Sequence, residues 1–363
     1  MGRVQFGLIV PENPQNPPGR PGYLSDVERL LAAVTGHYDS AWCIDHLQGD
    51  VLEGWTTVAY LAARHPGLRW GHTVLAQSFR NPALTAKMGA TLQFLSDGRF
   101  VLGIGAGGQA AEYRAYGYDF PPGRTRVSEL DEALRIIKAL WTQERATFAG
   151  AHYRVDGAEC EPRPDPLPPI LVGAFRPQML RLVARHADWW NVSSTGIAAY
   201  REYVSEFEKA CDEVGRDPAT VRRTWGGGCL CAPTEAEVAD LAAGRLRRGE
   251  DAGYQVGEDF VGTPAQVITQ MRPYVELGVD YFMLDCGGFP QLTTVELLIQ
   301  EVLPALNRCD TPIATGIGNA RVSPSERPRP YSDHAPTAAG ETWSIPAGAT
   351  HPNGGLWGYP DRL

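Results

Sequence analysis

The chain has 363 residues, a formal net charge of -9 and 43% hydrophobic residues. That balance belongs to a globular protein able to bury a large core, and it excludes the basic face that a nucleic acid or an anionic membrane would select. No apolar run approaches the roughly 20 residues of a membrane span, and the N-terminal MGRVQFGLIVPENP is too short in apolar residues for a secretory leader, so a cytoplasmic location is expected.

Short apolar runs alternate with amphipathic stretches. The first run, VQFGLIV from Val4 to Val10, precedes SDVERLLAAV, where Val27, Leu30, Leu31 and Val34 share one helical face and Ser25 with Glu28 predicts a capping box. SAWCID reads as strand 2, GWTTVAYLAARH as a helix, LRWGHTVL as strand 3, and NPALTAKMGATLQFLS as a helix with Pro82 in its first turn. FVLGIGAG is strand 4, and the following helix carries Val127, Leu130, Leu134, Ile137 and Trp141 at spacings of three and four. ATFAGAHYRVDGAECEPRPDPLPP interrupts the alternation as a β-hairpin turning at Gly150, followed by a proline-stiffened connector. Strand 5 (ILVGA), the helix PQMLRLVARHA, strand 6 (DWWNVSS), a helix ending at Val214 and strand 7 (VRRTWGGGCLCA) follow. The helices TEAEVADLAAGRL and TPAQVITQMRPYVELG, strand 8 (VDYFMLD) and the helix TVELLIQEVLPAL complete the series.

Eight such units predict an α/β fold, a (β/α)8 TIM barrel over residues 1–308, with an open doubly wound sheet as the alternative. Residues 309–363 form a Pro/Gly-rich tail without amphipathic period, expected to be disordered or, given Trp343, Trp357 and Tyr359, docked. The seven cysteines are scattered and form no C-x-x-C, which argues against disulfides and structural zinc; Cys229 and Cys231 would share one buried strand face.

Gly103, Gly105 and Gly108 spell G-x-G-x-x-G. A dinucleotide-binding turn needs a helix opening at the third glycine and an acidic residue at the end of the next strand. Here Gly117, Pro121 and Pro122 interrupt that helix and Glu129 lies inside another, so a Rossmann unit fails. In a barrel the same glycines follow strand 4, where bare backbone can approach a phosphate or the edge of an extended ligand.

Barrel chemistry gathers at strand C-termini. That rule nominates Asp45 and His46 after strand 2, residues 76–80 after strand 3, Gly105 to Glu112 after strand 4, Gly173 to Arg176 after strand 5, Asn191, Ser193 and Ser194 after strand 6, and Asp285 after strand 8. Asp45 beside His46 is the sharpest pair, since an Asp can fix an imidazole tautomer and His suits proton transfer near neutral pH. The other histidines have no comparable setting, no H-E-x-x-H supports a metal, and no G-x-S-x-G supports a serine hydrolase. Phe79, Trp189, Trp190 and Trp225 are candidates for an apolar pocket wall.

From Arg3 to Leu306 the chain resembles the bacterial luciferase-like family, specifically its deazaflavin (F420)-dependent oxidoreductases. The resemblance rests on SAWCIDHL, the run EGWTTVAYLAARHPGLRWGHTVLAQSFRNPALTAKMGATLQFLSDGRFVLGIGAG, EYRAYGYDFP, SELDEALRIIKALW, FAGAHYRVDGAECEPRP, PPILVGA, LRLVARHADWWN and VGTPAQVITQM, in that order. It implies a flavin-type ring, coenzyme F420 or alternatively FMN, in the barrel mouth. Asp45 and His46 would flank the ring, with His46 giving or taking a proton. Thr73 and Val74 would form the strand-3 bulge, where relatives have a cis peptide not involving proline. Gly107, Gly108, Gln109 and Glu112 would line the cofactor's side chain and phosphate, and Val172, Gly173, Ala174 and Phe175 the opposite wall.

The chain departs from its relatives at Gly108, where they usually have Trp; at LVGAFRPQ, which replaces a second glycine-rich turn; and at HYDSAW, which replaces the usual Gly-Phe-Asp. The expected function is hydride transfer between F420 and a small organic substrate, the cofactor carrying the electrons. An FMNH2-dependent monooxygenase, or a barrel that kept its fold and surrendered catalysis to become a binding or scaffold subunit, are the alternatives. The resemblance also implies a homodimer through the helices beside strands 2 and 3.

Overall fold

The structure, a computed structural model, describes residues 3–12, 20–247 and 257–308; the tail predicted over 309–363 lies outside them. In chain order the elements begin β1 (Gln5–Ile9), α1 (Arg20–Val34), β2 (Ser40–Cys43), α2 (Gly54–Arg64), β3 (Arg69–His72), β4 (Leu75–Ala76), α3 (Pro82–Leu95) and β5 (Phe100–Gly105). They continue with α4 (Ala110–Ala115), α5 (Gly123–Thr142), β6 (Ala146–Ala149), β7 (Arg154–Ala158), β8 (Ile170–Gly173), α6 (Pro177–His186), β9 (Trp189–Ser193) and α7 (Ile197–Val214). The last are β10 (Arg222–Cys231), α8 (Glu235–Arg247), β11 (Phe260–Gly262), α9 (Pro264–Glu276), β12 (Val279–Cys286), α10 (Thr293–Leu297) and α11 (Leu303–Leu306).

Among the described residues eight parallel strands close into a cylinder in the order β1, β2, β3, β5, β8, β9, β10, β12. β10 pairs with both β9 and β12, and β12 pairs with β1, so the sheet is a barrel and not the open alternative. β4 and β11 are short additions that pair with β5 and β10, while β6 and β7 form the antiparallel hairpin.

Successive side chains on a strand face opposite sides, and the two hydrophobic clusters separate on that rule. Trp42, Val101, Leu171, Trp189, Tyr281 and Met283 form one cluster, which fills the barrel interior. Their chain neighbours Ala41, Leu102, Val172, Trp190 and Phe282 join the larger layer between strands and helices. The interior is therefore packed solid and is not a pore. Cys229 and Cys231 lie together in the outer layer, as their spacing of two requires.

Two helix ends differ from expectation. α1 begins at Arg20, five positions before Ser25, and no cap forms at Ser25 because the buried face reaches back to Tyr23, 3% exposed, one turn ahead of Val27. The closing helix is divided by a π-turn over Leu298–Val302, just ahead of Pro304, which has no N–H to offer the ladder.

The hairpin turns at Gly150, whose N–H donates to the Tyr153 carbonyl at 2.9 Å. Its tip is held by Glu132 of α5, a buried carboxylate that accepts from the N–H groups of Ala151 (2.7 Å), His152 (2.9 Å) and Tyr153 (3.0 Å). Burial opposes ionisation there, but the three donors outweigh it and hold the carboxyl below its ordinary range. The contribution is therefore full above that ordinary range and is lost as pH falls through the depressed value. Glu132→Ala is expected to speed amide exchange at residues 151–153 by about tenfold, since three buried donors lose their acceptor. Unchanged exchange would show that the turn holds itself.

Candidate active site

A cavity of about 940 Å³ opens at the C-terminal end of the barrel, within the size range of small-molecule sites. Loops after β2, β4, β5, β8 and β9 line it. In the eight-strand ring β2 and β9 stand four places apart, so His46 and the pair Asn191 and Ser193 occupy opposite walls.

Of the residues nominated from sequence, Asp45, His46, Val74, Gly107, Gly108, Gln109, Glu112, Gly173, Ala174 and Phe175 all line this cavity. Thr73 and Val172 do not. Val172 lies in the outer cluster because strand alternation turns it toward the helices, one position from inward-facing Leu171. Thr73 sits behind the wall, its N–H donating to the Cys43 carbonyl at 2.9 Å, and the Thr73–Val74 peptide bond is cis.

The second correction concerns Asp45. Its carboxylate does not orient His46. Arg80 takes it with two parallel bonds, Nη1 to Oδ2 at 2.9 Å and Nη2 to Oδ1 at 2.8 Å, and the Ala76 N–H donates to Oδ2 at 2.9 Å. Arg80 also reaches Glu53 at 2.6 Å. Burial works against ionisation of Glu53, but the N–H groups of Thr56 and Trp55 and the Arg80 charge hold its carboxyl below the usual range. Glu53 is at once the N-cap of α2 and an anchor for the loop after β3.

The carboxylate that serves His46 comes from α4. His46 Nδ1 lies 3.0 Å from Glu112 Oε1, which also accepts from the N–H groups of Leu47 (3.0 Å) and Gln48 (3.3 Å). A carboxylate oxygen accepts in this contact, so Nδ1 is the donor and Nε2 takes no part in it. The Glu112 side chain is 9% exposed and that of His46 37%, so the acceptor is fixed while the ring meets the cavity. Sequence alone nominated both residues for the wall but gave no sign of their contact, which spans 66 positions.

His72, given no role from sequence, packs between Trp55 and Phe100, and burial pushes its pKa down to about 4. It is a neutral core imidazole. Glu12, just beyond β1, is pushed up to about 8 by burial and was not singled out from sequence. Among the aromatic candidates Phe79 lines the cavity, whereas Trp190 and Trp225 belong to the outer layer and Trp189 to the barrel interior.

The wall suits a flat ring. Val74 fills the space left by two missing side chains: a Cβ on Gly105 would stand 2.8 Å from Val74 Cγ2, and one on Gly173 3.3 Å. It thus presents an aliphatic face to the cavity. Gly107, at φ +77°, allows the loop to turn over Tyr113, whose hydroxyl would lie 1.9 Å from any Cβ there. A Cβ on Gly108 would meet nothing within 4 Å, so the absent Trp leaves open room. After β8, Phe175 is 51% exposed with the Arg176 guanidinium 5.3 Å from its ring centre, so the departure from a glycine turn borders the cavity without sealing it.

Comparison with known proteins agrees with this architecture. Residues 4–281 match the family model described as luciferase-like monooxygenase. A relative from Kineococcus radiotolerans named F420-dependent glucose-6-phosphate dehydrogenase is 29% identical, the match covering 79% of this chain and 93% of that protein. Among solved structures, an F420-dependent secondary alcohol dehydrogenase in complex with an F420-acetone adduct superposes with a TM-score of 0.71 at 18% identity, over 84% of this chain and 99% of the other. A monooxygenase from Streptomyces bottropensis reaches 0.70 at 21% identity, over 83% and 99%. With the family model spanning most of the chain and the barrel closed as its members' barrels are, this protein belongs to the luciferase-like monooxygenase family.

Proposed function

We propose that the chain is an F420-dependent oxidoreductase that moves a hydride between the deazaflavin and a carbinol or carbonyl carbon of a small organic substrate. The observation that carries this reading is the His46–Glu112 couple in a cavity with room for a flat ring. The curated relative's name supports the choice of cofactor. When bound, the deazaflavin would supply two-electron hydride chemistry. Val74, Gly107 and Gly108 would hold it by shape and bare backbone.

The chain's own share is proton management and exclusion of water. Nε2 of His46 takes the hydroxyl proton of an alcohol as its carbon is oxidised, and returns it to the oxygen in the reverse direction. Glu112, 3.0 Å from Nδ1, stabilises the imidazolium that forms. Packed Trp42 and Trp189 beneath keep bulk water from entering through the barrel. A cytoplasmic homodimer belongs to the same reading: Tyr60 on α2 and Leu84, Phe94 and Leu95 on α3 are exposed apolar side chains beside strands 2 and 3.

Titration with each cofactor tests the proposal. Purified protein should bind F420, follow its reduction optically when a secondary alcohol or sugar phosphate is supplied, and consume no oxygen. Tight binding of reduced FMN with oxygen uptake would replace this reading with the monooxygenase one.

A further inference from the structure

In a chain of net charge -9, the described residues lining the cavity include four arginines, Arg124, Arg126, Arg176 and Arg181, against two carboxylates. Both carboxylates are already engaged, Asp45 by Arg80 and Glu112 by His46 with two backbone amides. Arg181 is paired with Glu213 at 2.9 Å, and Arg126 lies 3.9 Å from the Phe120 ring centre with Nη1 held by the Pro121 carbonyl. Arg124 and Arg176 have no carboxylate partner among the described residues, and both are exposed.

The two stand where α5 and α6 begin, Arg124 in the first turn of one and Arg176 as the N-cap of the other; neither N-cap, Pro122 nor Arg176, gives its helix a side-chain cap. Unneutralised guanidinium groups beside uncapped helix amides form a positive field that favours an anion. The pair's exposure sets it at the lip. A ring against Val74 would leave only the outer end of its chain to reach there.

We infer that Arg124 and Arg176 form an anion subsite for the carboxylates of a ligand tail leaving the cavity for solvent. The inference rests on the proposed cofactor, since F420 continues beyond its phosphodiester into a chain of glutamates whereas FMN ends at a phosphate. Arg176 stands in the segment LVGAFRPQ that replaces a glycine-rich turn, and so exchanges backbone contact for long-range charge.

Equilibrium binding followed by deazaflavin fluorescence tests this with three probes: F420 bearing glutamates, its glutamate-free phospholactyl form, and the chromophore without phosphate. Wild type should hold the glutamylated form about tenfold more tightly than the glutamate-free one at low salt, as two exposed ion pairs allow, and the gap should close at high salt. The double variant Arg124→Ala/Arg176→Ala should erase the gap and leave the other two probes unchanged; Arg176→Glu should reverse it. Thermal melts confirm that the variants fold. A gap that survives in the double variant, or glutamates that make no difference in wild type, would overturn the subsite. Loss of the phospholactyl form alongside the glutamylated one would assign the arginines to the phosphodiester and overturn the tail assignment. Wild type that binds none of the three, but binds FMN in the same buffer, overturns the cofactor reading itself and the subsite with it.

Discussion

His46→Ala is expected to lower the rate of hydride transfer by about 10² to 10⁴, the span usual for losing a positioned general base or acid, while F420 still binds. The reasoning follows the hydrogen bonds. Glu112 fixes the Nδ1 proton, so Nε2 is the ring nitrogen left to exchange a proton with substrate, and among the described histidines His46 alone lines the cavity. His72 is no substitute: it is fully buried and its pKa is near 4. Single-turnover measurement of F420 reduction by the variant separates the outcomes. A rate within about threefold of wild type would remove His46 from the chemistry. A wild type that binds cofactor without turnover would favour the scaffold reading.

Arg80→Met should be the most damaging change for stability, costing about 3–5 kcal/mol, because it strands a buried carboxylate. The Asp45 side chain has no exposed surface and that of Arg80 is 13% exposed, so solvent cannot replace the guanidinium. Glu53 keeps its two amide donors but loses its cation, which loosens the tie between α2 and the loop after β3. Urea unfolding measures the loss. The double variant Asp45→Asn/Arg80→Met should recover a large part of it, since a neutral amide no longer needs the cation. A loss below about 1 kcal/mol in the single variant would mean that the Asp45 carboxylate reaches water at little cost.

The barrel was legible because alternation of strands and helices is written in short range periodicities, and the glycine loop was placed correctly once the strand before it was recognised. What sequence missed was pairing across distance. Asp45 and His46 are adjacent in sequence, yet their partners are Arg80, 35 positions on, and Glu112, 66 positions on from His46. Adjacent residues leaving a strand point apart, so closeness in sequence was a poor guide to which carboxylate serves the ring. The same alternation removed Val172 from the wall while keeping Gly173 and Ala174. Ser25 and Glu28 formed a local pattern that the apolar face reaching Tyr23 overrode. Of the lip arginines, Arg176 was among the residues expected after strand 5, whereas Arg124 carried no motif; the cavity lining is what associates the two.

Among the described residues, the side chains that stopper the cylinder below the mouth, Trp42, Trp189 and Tyr281, make it a well closed at the bottom. A large ring seated deep against Val74 and a small molecule resting above it would share the mouth of that well, so traffic becomes last in, first out. With that seating, the spent small molecule would depart before the deeper guest is exchanged, and the plumbing of the barrel would help to order each turnover.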